Sequence, residues 1–177
     1  NIQIGSIWWN TVKKDTGYSD GTVTLKSIPN STEAIYGTPV LDGKMDDIWG
    51  TANEIQTTGS GATAKVKTMW DKDYIYVLAE VTDSVLNNTH QDPWEQDSVE
   101  IFLDENNAKT PFYQADDRQF RTNFKNGKST SSNKTSDSYK SEVTLTSTGY
   151  IVEFAIPNTT GAYNQNQVVG FDVQVND

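Results

Sequence analysis

A tryptophan and a glutamate lie close together in a segment that has the pattern of a β-strand. Trp94 follows Pro93 in a polar loop, where a large apolar ring is not expected to be fully buried. Polar and apolar residues alternate over residues 98–104, so Glu100 is predicted on the face opposite to the apolar side chains. A ring that can stack and an acid that can accept hydrogen bonds are the groups that a sugar-binding site needs.

Two further alternating segments carry planar polar side chains. Arg121 alternates with phenylalanines in residues 119–124, and Gln174 alternates with apolar residues in 171–176. If these strands lie beside the strand that carries Glu100, the three side chains converge on one sheet face and could hold neighbouring sugar hydroxyls. The solvated outer face of an ordinary β-sandwich produces the same alternation. Spacing alone therefore leaves both interpretations open.

Oxygen-bearing side chains are concentrated in the loop that precedes this strand. Asp83 and Asp97 lie near its two ends, and several Asp and Asn residues lie between them. Calcium prefers oxygen ligands of this kind, but the spacing is not that of an EF-hand. Asp and Asn are also common turn residues. The segment is therefore open to two interpretations, a structural calcium site at Asp83 and Asp97 or ordinary turn chemistry.

The chain offers few residues for catalysis. His90 is its only histidine, and it has neither a cysteine nor a Gly-x-Ser-x-Gly segment, so no nucleophilic triad is evident. A hydrolase that uses two carboxylates from Glu95, Glu100 and Glu153 is the enzymatic alternative, although nothing in the spacing selects a pair. A haem-binding sandwich is another alternative, for which one histidine and two methionines are few ligands. The residues predict a non-catalytic binding protein.

The composition narrows the partners further. A chain of 177 residues is long enough for one domain with a sizeable core. With 24 acidic and 14 basic residues the net charge is −10, which disfavours nucleic acids and anionic membranes. The absence of cysteine excludes disulfides and thiolate metal sites. No apolar run approaches the roughly 20 residues of a spanning helix.

The elements that position these residues are predicted to be β-strands. A tight Asp-Lys-Asp turn joins residues 64–70 and 74–81, which predicts a hairpin. Further strands are predicted at 2–9, 22–28, 98–104, 119–124, 139–145, 150–156 and 168–175, with a polar loop at 126–138. Many short strands without a helical period predict an all-β protein, an antiparallel β-sandwich of the jelly-roll type.

Four segments closely resemble carbohydrate-binding modules of family 9: Tyr-Gly-Thr-Pro-Val-Leu-Asp-Gly-Lys-Met-Asp-Asp-Ile-Trp at 36–49, the region 89–107 with Pro-Trp-Glu-Gln-Asp-Ser-Val-Glu, Asp-Asp-Arg-Gln-Phe-Arg at 116–121, and Val-Gly-Phe-Asp-Val-Gln-Val-Asn-Asp at 169–177. The resemblance covers residues 34–177 in family order. It implies a β-sandwich with structural calcium that clamps the reducing ends of glucan and xylan chains, or small sugars such as cellobiose and xylobiose, between two aromatic rings. Trp94 matches one ring, and Glu100, Arg121 and Gln174 match the hydrogen-bonding residues.

The resemblance also implies a setting for the protein. Modules of this family are appended to secreted family-10 xylanases, so we expect an extracellular protein in which the module is covalently linked to a catalytic xylanase domain. The expected partners are cellulose or xylan chain ends and soluble sugars.

The first residues resemble a part of the family that normally comes last. Residues 1–28 resemble the family's C-terminal strands, 29–35 are predicted to be a connector, and 36–177 correspond to the main body. We interpret residues 1–177 as one module, either circularly permuted or cut across a tandem repeat. Permutation is favoured, because the front segment restores roughly the missing length and a truncated sandwich would expose edge strands. Under permutation, Tyr18 supplies the second ring and Asp15 a polar sugar ligand.

Overall fold

The computed structural model describes residues 2–6 by their backbone alone, and residues 31–57, 61–130, 139–159 and 161–177 in full. Eleven strands lie in these ranges: β1 Ile2–Ser6, β2 Ser31–Tyr36, β3 Glu54–Gln56, β4 Thr63–Trp70, β5 Tyr74–Thr82, β6 Ser98–Asp104, β7 Asp117–Asn123, β8 Lys128–Thr130, β9 Lys140–Leu145, β10 Gly149–Pro157 and β11 Val168–Asn176. Two short 3-10 helices span Asp47–Thr51 and Pro93–Glu95. No helix within the described ranges has the length and apolar character needed to cross a membrane.

The strands form two sheets that share β2. The first sheet has the order β8-β7-β6-β11-β1, and the second has the order β4-β5-β10-β9 with β3 added on β4. β2 pairs antiparallel with β1 and parallel with β4, so backbone pairing closes one side of the sandwich. The other pairings are antiparallel except that of β1 with β11. The predicted all-β sandwich is confirmed.

The structure differs from the sequence prediction at two polar strands. β2 lies where residues 29–35 were predicted to be a connector, and β8 lies inside the predicted loop 126–138. Both strands are short, β2 begins with three polar residues and β8 is wholly polar, so neither shows the apolar alternation that marks a strand. Their hydrogen bonds come from pairing with strands distant in sequence or across a tight turn, which local propensity does not reveal. The hairpin of β4 and β5 is confirmed, as are the bounds of β6.

The main core fills the space between the two sheets. Alternate residues of β4, β5 and β10 face those of β6, β7 and β11. Its larger buried members are Trp70, Ile75, Val77, Val99, Ile101, Leu103, Phe120, Tyr150, Phe154, Ile156 and Phe171. The apolar side of β6 therefore faces inwards, as its alternation predicts, and Glu100 faces outwards.

A second apolar layer covers the outer face of the second sheet. The segment 37–53 packs there through Trp49, which is buried against Met69 and Leu78. Glu153 on β10 fixes this segment: its Oε2 accepts the backbone N–H groups of residues 42 and 43 at 2.9 and 2.7 Å, and its Oε1 accepts the Trp49 Nε1–H at 2.9 Å. Burial raises the pKa of Glu153 although these three donors favour its charged form. With this face covered, the outer face of the first sheet is the one on which the polar rows lie.

Candidate ligand-binding site

Glu100, Arg121 and Gln174 lie in a single row on the outer face of the first sheet. Glu100 is paired in register with Arg121 on β7 and with Gln174 on β11. Neighbouring strands are about 4.8 Å apart, so side chains in one row on one face are in contact distance. The structure thus brings together the three polar residues that the sequence could only place on similar faces.

The arginine and the glutamate of this row form a buried pair. Arg121 donates from Nη2 to Glu100 Oε1 at 2.5 Å and from Nε to Oε2 at 3.2 Å, while its Nη1 donates to Ser129 Oγ at 3.0 Å. Arg121 and Glu100 are only 6% and 3% exposed. The fork geometry fixes both planes, because each nitrogen has one partner. Donors and acceptors are therefore held in place before a ligand arrives.

Asn176 extends this network and was not predicted as a site residue. Its Nδ2 donates to Glu100 Oε2 at 3.2 Å and to Ser98 Oγ at 3.0 Å, and its Oδ1 accepts the Gln174 Nε2–H at 2.6 Å. Gln174 itself is exposed, so it is the member of the row most open to a ligand. The alternation of β11 placed Asn176 on the same face as Gln174, but nothing in the sequence showed that it reaches Glu100.

Trp94 is the exposed ring at one end of this face. It lies in the 3-10 helix that precedes β6, and 57% of its surface is exposed. Gln96 ties the loop to β7, because its Oε1 accepts the Asn123 Nδ2–H at 2.7 Å. Trp49 and Trp70, in contrast, are buried. Trp94 is thus the tryptophan available for stacking among those that the structure describes.

The predicted second ring is not part of the described structure. Tyr18 and Asp15 fall outside the described residues, so their roles as clamp ring and sugar ligand stay predictions.

Another partly exposed aromatic residue follows β6 in the chain. Tyr113 lies in the loop between β6 and β7 and is 40% exposed. Burial, followed by the charges of Glu100 and Asp117, raises the pKa of its hydroxyl. Tyr113 was not among the predicted site residues, because the sequence gives no sign of where an aromatic side chain in a polar loop lies.

Asp83 and Asp97 lie together with Asp177, and carboxylate oxygens of the three are within 4.8 Å of one another. Asp83 follows β5, Asp97 precedes β6 and Asp177 follows β11, so the fold and not the local sequence assembles the group. Burial raises the pKa of Asp97, and the charges of Asp83 and Asp177 raise it further, while the backbone N–H of Asn87 opposes the shift. Three close carboxylates repel one another unless a cation or protons compensate them.

Two orphaned oxygens adjoin this group. Asp83 Oδ2 and the Tyr150 hydroxyl are buried without a hydrogen-bond partner. Tyr150 is paired with Val81 near the end of β5, and burial, followed by the charges of Asp97, Asp83 and Asp177, raises the pKa of its hydroxyl. Oxygen ligands with a free lone pair are what a calcium ion requires. The donor set of Asp83, Asp97 and Asp177 fits such an ion.

A second acidic group differs in this respect. Carboxylate oxygens of Asp104, Asp116 and Asp117 also lie within 4.8 Å of one another, but none of these three side chains has a buried oxygen without a hydrogen-bond partner, and each accepts a backbone N–H of the loop 105–116. Ordinary turn chemistry therefore accounts for this second group.

The geometry disfavours the carboxylate pair of a hydrolase. Glu100 points away from the core on the first sheet, and Glu153 points away from it on the second sheet. The two acids consequently lie on opposite outer surfaces of the sandwich and cannot act on one bond. Glu95 is exposed beside His90, with Oε2 3.3 Å from Nδ1. Met69 is buried in the second apolar layer and is therefore not available as an axial ligand for a haem.

An exposed indole at the end of a row of planar polar side chains, on one face of a β-sandwich, is the arrangement expected of a carbohydrate-binding module. Residues 41–177 match the sequence model of the family described as carbohydrate family 9 binding domain-like. The chain belongs to this family.

Solved structures of the same family resemble the chain. A family 9 carbohydrate-binding module from Caldicellulosiruptor kristjanssonii in complex with glucose is 40% identical and has a TM-score of 0.75. The structure of a module from the same organism in complex with cellotriose is 39% identical with a TM-score of 0.73. Each match covers 81% of this chain and 76% of the other.

Curated relatives match nearly the whole chain. Exoglucanase XynX of Acetivibrio thermocellus is 48% identical over 177 residues, and endo-1,4-beta-xylanase A of Thermoanaerobacterium saccharolyticum is 47% identical over 180. These alignments cover 96% and 99% of the chain but only 16% of each relative. Because they run through most of residues 1–30 as well as the main body, the relatives share the order of segments found here.

Proposed function

We propose that the chain is a non-catalytic module that binds the terminal sugar of a β-1,4-linked glucan or xylan on the outer face of the first sheet. Trp94 stacks on the C–H face of the ring, and Glu100, Arg121 and Gln174 hydrogen-bond its hydroxyls. The observation that carries the proposal is the register that sets these three residues in one row, with Arg121 and Glu100 already fixed by each other. A fixed row loses little conformational entropy when the ligand binds.

The solved family members and the curated relatives support two polysaccharides as ligands, glucan and xylan. The solved family members contain glucose and cellotriose, which favours glucans, whereas several relatives are named endo-1,4-beta-xylanases, which favours xylan. Both cellobiose and xylobiose should therefore be titrated. One stacked ring and a few polar contacts suggest affinities between about 1 μM and 1 mM, or roughly −8 to −4 kcal/mol.

The proposal is tested by replacing the stacking ring. Trp94→Ala should weaken cellobiose or xylobiose binding by at least about tenfold in calorimetry, or about 1.4 kcal/mol. The melting temperature should stay close to that of the wild type, because the ring is mostly exposed. Leu145→Ala is the matched control: that side chain is 60% exposed, lies on the other sheet, and should leave binding unchanged. Equal affinities of the wild type and Trp94→Ala would refute the site.

We further propose that Asp83, Asp97 and Asp177 hold a structural calcium ion. The ion would neutralise the three carboxylates and supply the missing partner of Asp83 Oδ2. It would thereby tie the end of β11 to the loop that carries Trp94.

Melting with calcium and with a chelator tests the calcium proposal. An ion present at about 100 times its Kd stabilises the fold by about 2.7 kcal/mol, equivalent to roughly 5–11 °C for a domain of this size. Asp83→Ala should remove the response to chelator. Asp73→Ala, at an exposed aspartate outside the cluster, should retain it. An unchanged response in Asp83→Ala would exclude this site.

The wider setting is also a proposal. The relatives include xylanases of which the chain matches 16% of the length, which supports a covalently linked catalytic xylanase domain and secretion. Expression of the parent gene followed by detection of the protein in the culture medium, with its xylan-hydrolysing activity, tests both.

A further inference from the structure

The side chain of Gln96 bonds to both sides of the 3-10 helix that carries Trp94. Gln96 follows the helix directly. Its Nε2 donates to the carbonyl of His90, ahead of the helix, at 2.7 Å, and its Oε1 accepts the Nδ2–H of Asn123 on β7 at 2.7 Å. One carboxamide therefore joins the segment before the helix, the residue after it and the neighbouring strand.

Asn123, the partner of Gln96 on the sheet, is itself held in one orientation. Its Oδ1 accepts the backbone N–H groups of Lys125 at 3.0 Å and Gly127 at 2.7 Å, in the turn between β7 and β8. Its backbone is paired in register with Ser98 on β6. Because two donors fix the oxygen of the carboxamide, the direction of its N–H groups is fixed as well. Asn123 is thus a rigid anchor for Gln96.

The backbone of Gln96 is joined to the polar row by a second path. Ser98 Oγ donates to the Gln96 carbonyl at 2.9 Å and accepts the Asn176 Nδ2–H at 3.0 Å. The same Asn176 Nδ2 lies 3.2 Å from Glu100 Oε2. A continuous series of hydrogen bonds therefore runs from the end of the Trp94 helix to the acid of the row.

The other polar contacts around this helix are more exposed. His90 Nδ1 and Glu95 Oε2 are 3.3 Å apart, but more than half of each side chain is exposed, and such pairs contribute little. Lys125 Nζ donates to Asn88 Oδ1 at 2.9 Å on the surface, several residues before the helix. Among the described side chains, that of Gln96 is the one that links the two ends of the helix to the sheet.

We propose that Gln96 is a positioning residue for sugar binding, which holds the Trp94 ring so that stacking and the hydrogen bonds of Glu100 act on the same sugar unit. This inference rests on the proposed function. Trp94 is 57% exposed, so little of its own surface is fixed by packing. A group that becomes ordered only when the ligand binds costs affinity, and a helix tied down beforehand avoids this cost. Gln96 acts through the ring and does not need to contact the sugar.

A double-mutant cycle on affinity tests this role. Gln96→Met keeps the length of the side chain and removes both of its bonds, and should weaken cellobiose binding by about three- to tenfold in calorimetry. In the Trp94→Ala background the same substitution should weaken binding by less than about 1.5-fold, because no ring is left to position. Titration followed by NMR measures the weak affinities in that background. Lys125→Ala is the matched control: it removes the exposed tie of the same loop and should change affinity by less than about 1.5-fold.

The outcomes separate this inference from the proposed function. All variants should be compared at one calcium concentration, with circular dichroism to verify folding. An equal loss from Gln96→Met in both backgrounds, or no loss in either, overturns the inference and leaves the proposed function intact. A loss in Lys125→Ala as large as that in Gln96→Met also overturns it, because any tie of the loop would then have the same effect. A Trp94→Ala variant that binds as the wild type does overturns both.

Should Gln96→Met fail to fold, Asn123→Asp tests the same bond from its other partner. That substitution retains an oxygen for the backbone N–H groups of residues 125 and 127 but has no N–H to donate to Gln96. We expect the same pattern, a loss of about three- to tenfold with Trp94 present and of less than about 1.5-fold in Trp94→Ala. Equal losses in the two backgrounds would again overturn the inference.

The motion of the ring gives a readout that needs no ligand. The chain has five tryptophans, so the fluorescence of Trp94 is obtained as the difference between each protein and the same protein with Trp94→Phe. In Gln96→Met the anisotropy decay of this difference should gain a fast component on the picosecond-to-nanosecond timescale. An unchanged decay in both Gln96→Met and Asn123→Asp would show that the ring is held by other contacts and would overturn the inference.

Discussion

Removing the guanidinium of Arg121 should destabilise the fold as well as weaken sugar binding. Arg121→Met leaves the Glu100 carboxylate buried without its main partner, and breaking a buried ion pair in this way costs about 3–5 kcal/mol. Glu100 keeps one hydrogen bond, from Asn176 Nδ2 at 3.2 Å, so the lower limit of about 3 kcal/mol applies. For a domain of this size that is a decrease in Tm of about 6–12 °C.

A double-mutant cycle measures the interaction itself. Glu100→Gln removes the charge while keeping an acceptor, so the double variant should be more stable than the sum of the single effects by about 1–3 kcal/mol. Urea unfolding monitored by tryptophan fluorescence gives the free energies, at one calcium concentration throughout. The control is Lys72→Met, because Lys72 and Asp73 form an exposed pair at 3.6 Å and should contribute within about 0.5 kcal/mol. A loss below about 1 kcal/mol in Arg121→Met, or additivity in the cycle, would show that the row is not a fixed network.

Two further predictions concern the fold around the site. The folded-state pKa of Glu153 is raised above 4.5 by burial, so its neutral form is favoured; the associated stability is present below about pH 4.5 and is lost as pH rises through the folded pKa. The unfolding free energy of the wild type minus that of Glu153→Gln should therefore decrease as pH rises from about 4.5 through the folded pKa. A difference that does not depend on pH would contradict the raised pKa of Glu153. Gly149→Ala should destabilise the fold by more than about 1 kcal/mol, because the glycine has φ of +153° and a Cβ would lie 2.2 Å from the Val81 carbonyl oxygen. Gly50→Ala, where a Cβ meets nothing within 4 Å, is the control and should change Tm little.

The sequence was sufficient where a pattern is local. The alternation of residues 98–104 predicts the bounds of β6 and both of its faces, because the core decides every second position. The exposure of Trp94 also follows from local features, namely a proline before it and polar residues around it.

The sequence did not predict which residues come together when strand order and register determine their positions. Alternation places Glu100, Arg121 and Gln174 each on a polar face, but only the pairing of three strands sets them in one row. The same holds for Asp177, which joins Asp83 and Asp97 from the other end of the chain. Pairing between strands that are distant in sequence depends on the whole core, so it cannot be recognised from the residues next to each strand.

The structural role of a buried polar residue was also not predicted from the sequence. Glu153 appeared as a candidate catalytic acid, yet it fixes the segment 37–53 by three hydrogen bonds. Its buried position could not be inferred, because a glutamate in an alternating strand normally marks a solvated face. Here a second apolar layer covers that face.

Because both sheets pair with β2, the two sides of the sandwich are held together differently. At β2 a backbone ladder joins the sheets, whereas across the opposite side the described residues are joined by side chains, such as Ser141 Oγ to Asn126 Oδ1 at 2.6 Å and Tyr139 Oη to the Arg121 carbonyl at 2.6 Å. Local opening is easiest where few bonds must break, so amide hydrogen exchange is expected to be faster at β8 and β9 than at β2. Arg121 lies on β7, next to β8. A sugar bound to Arg121 is therefore expected to slow amide hydrogen exchange in β8 and β9.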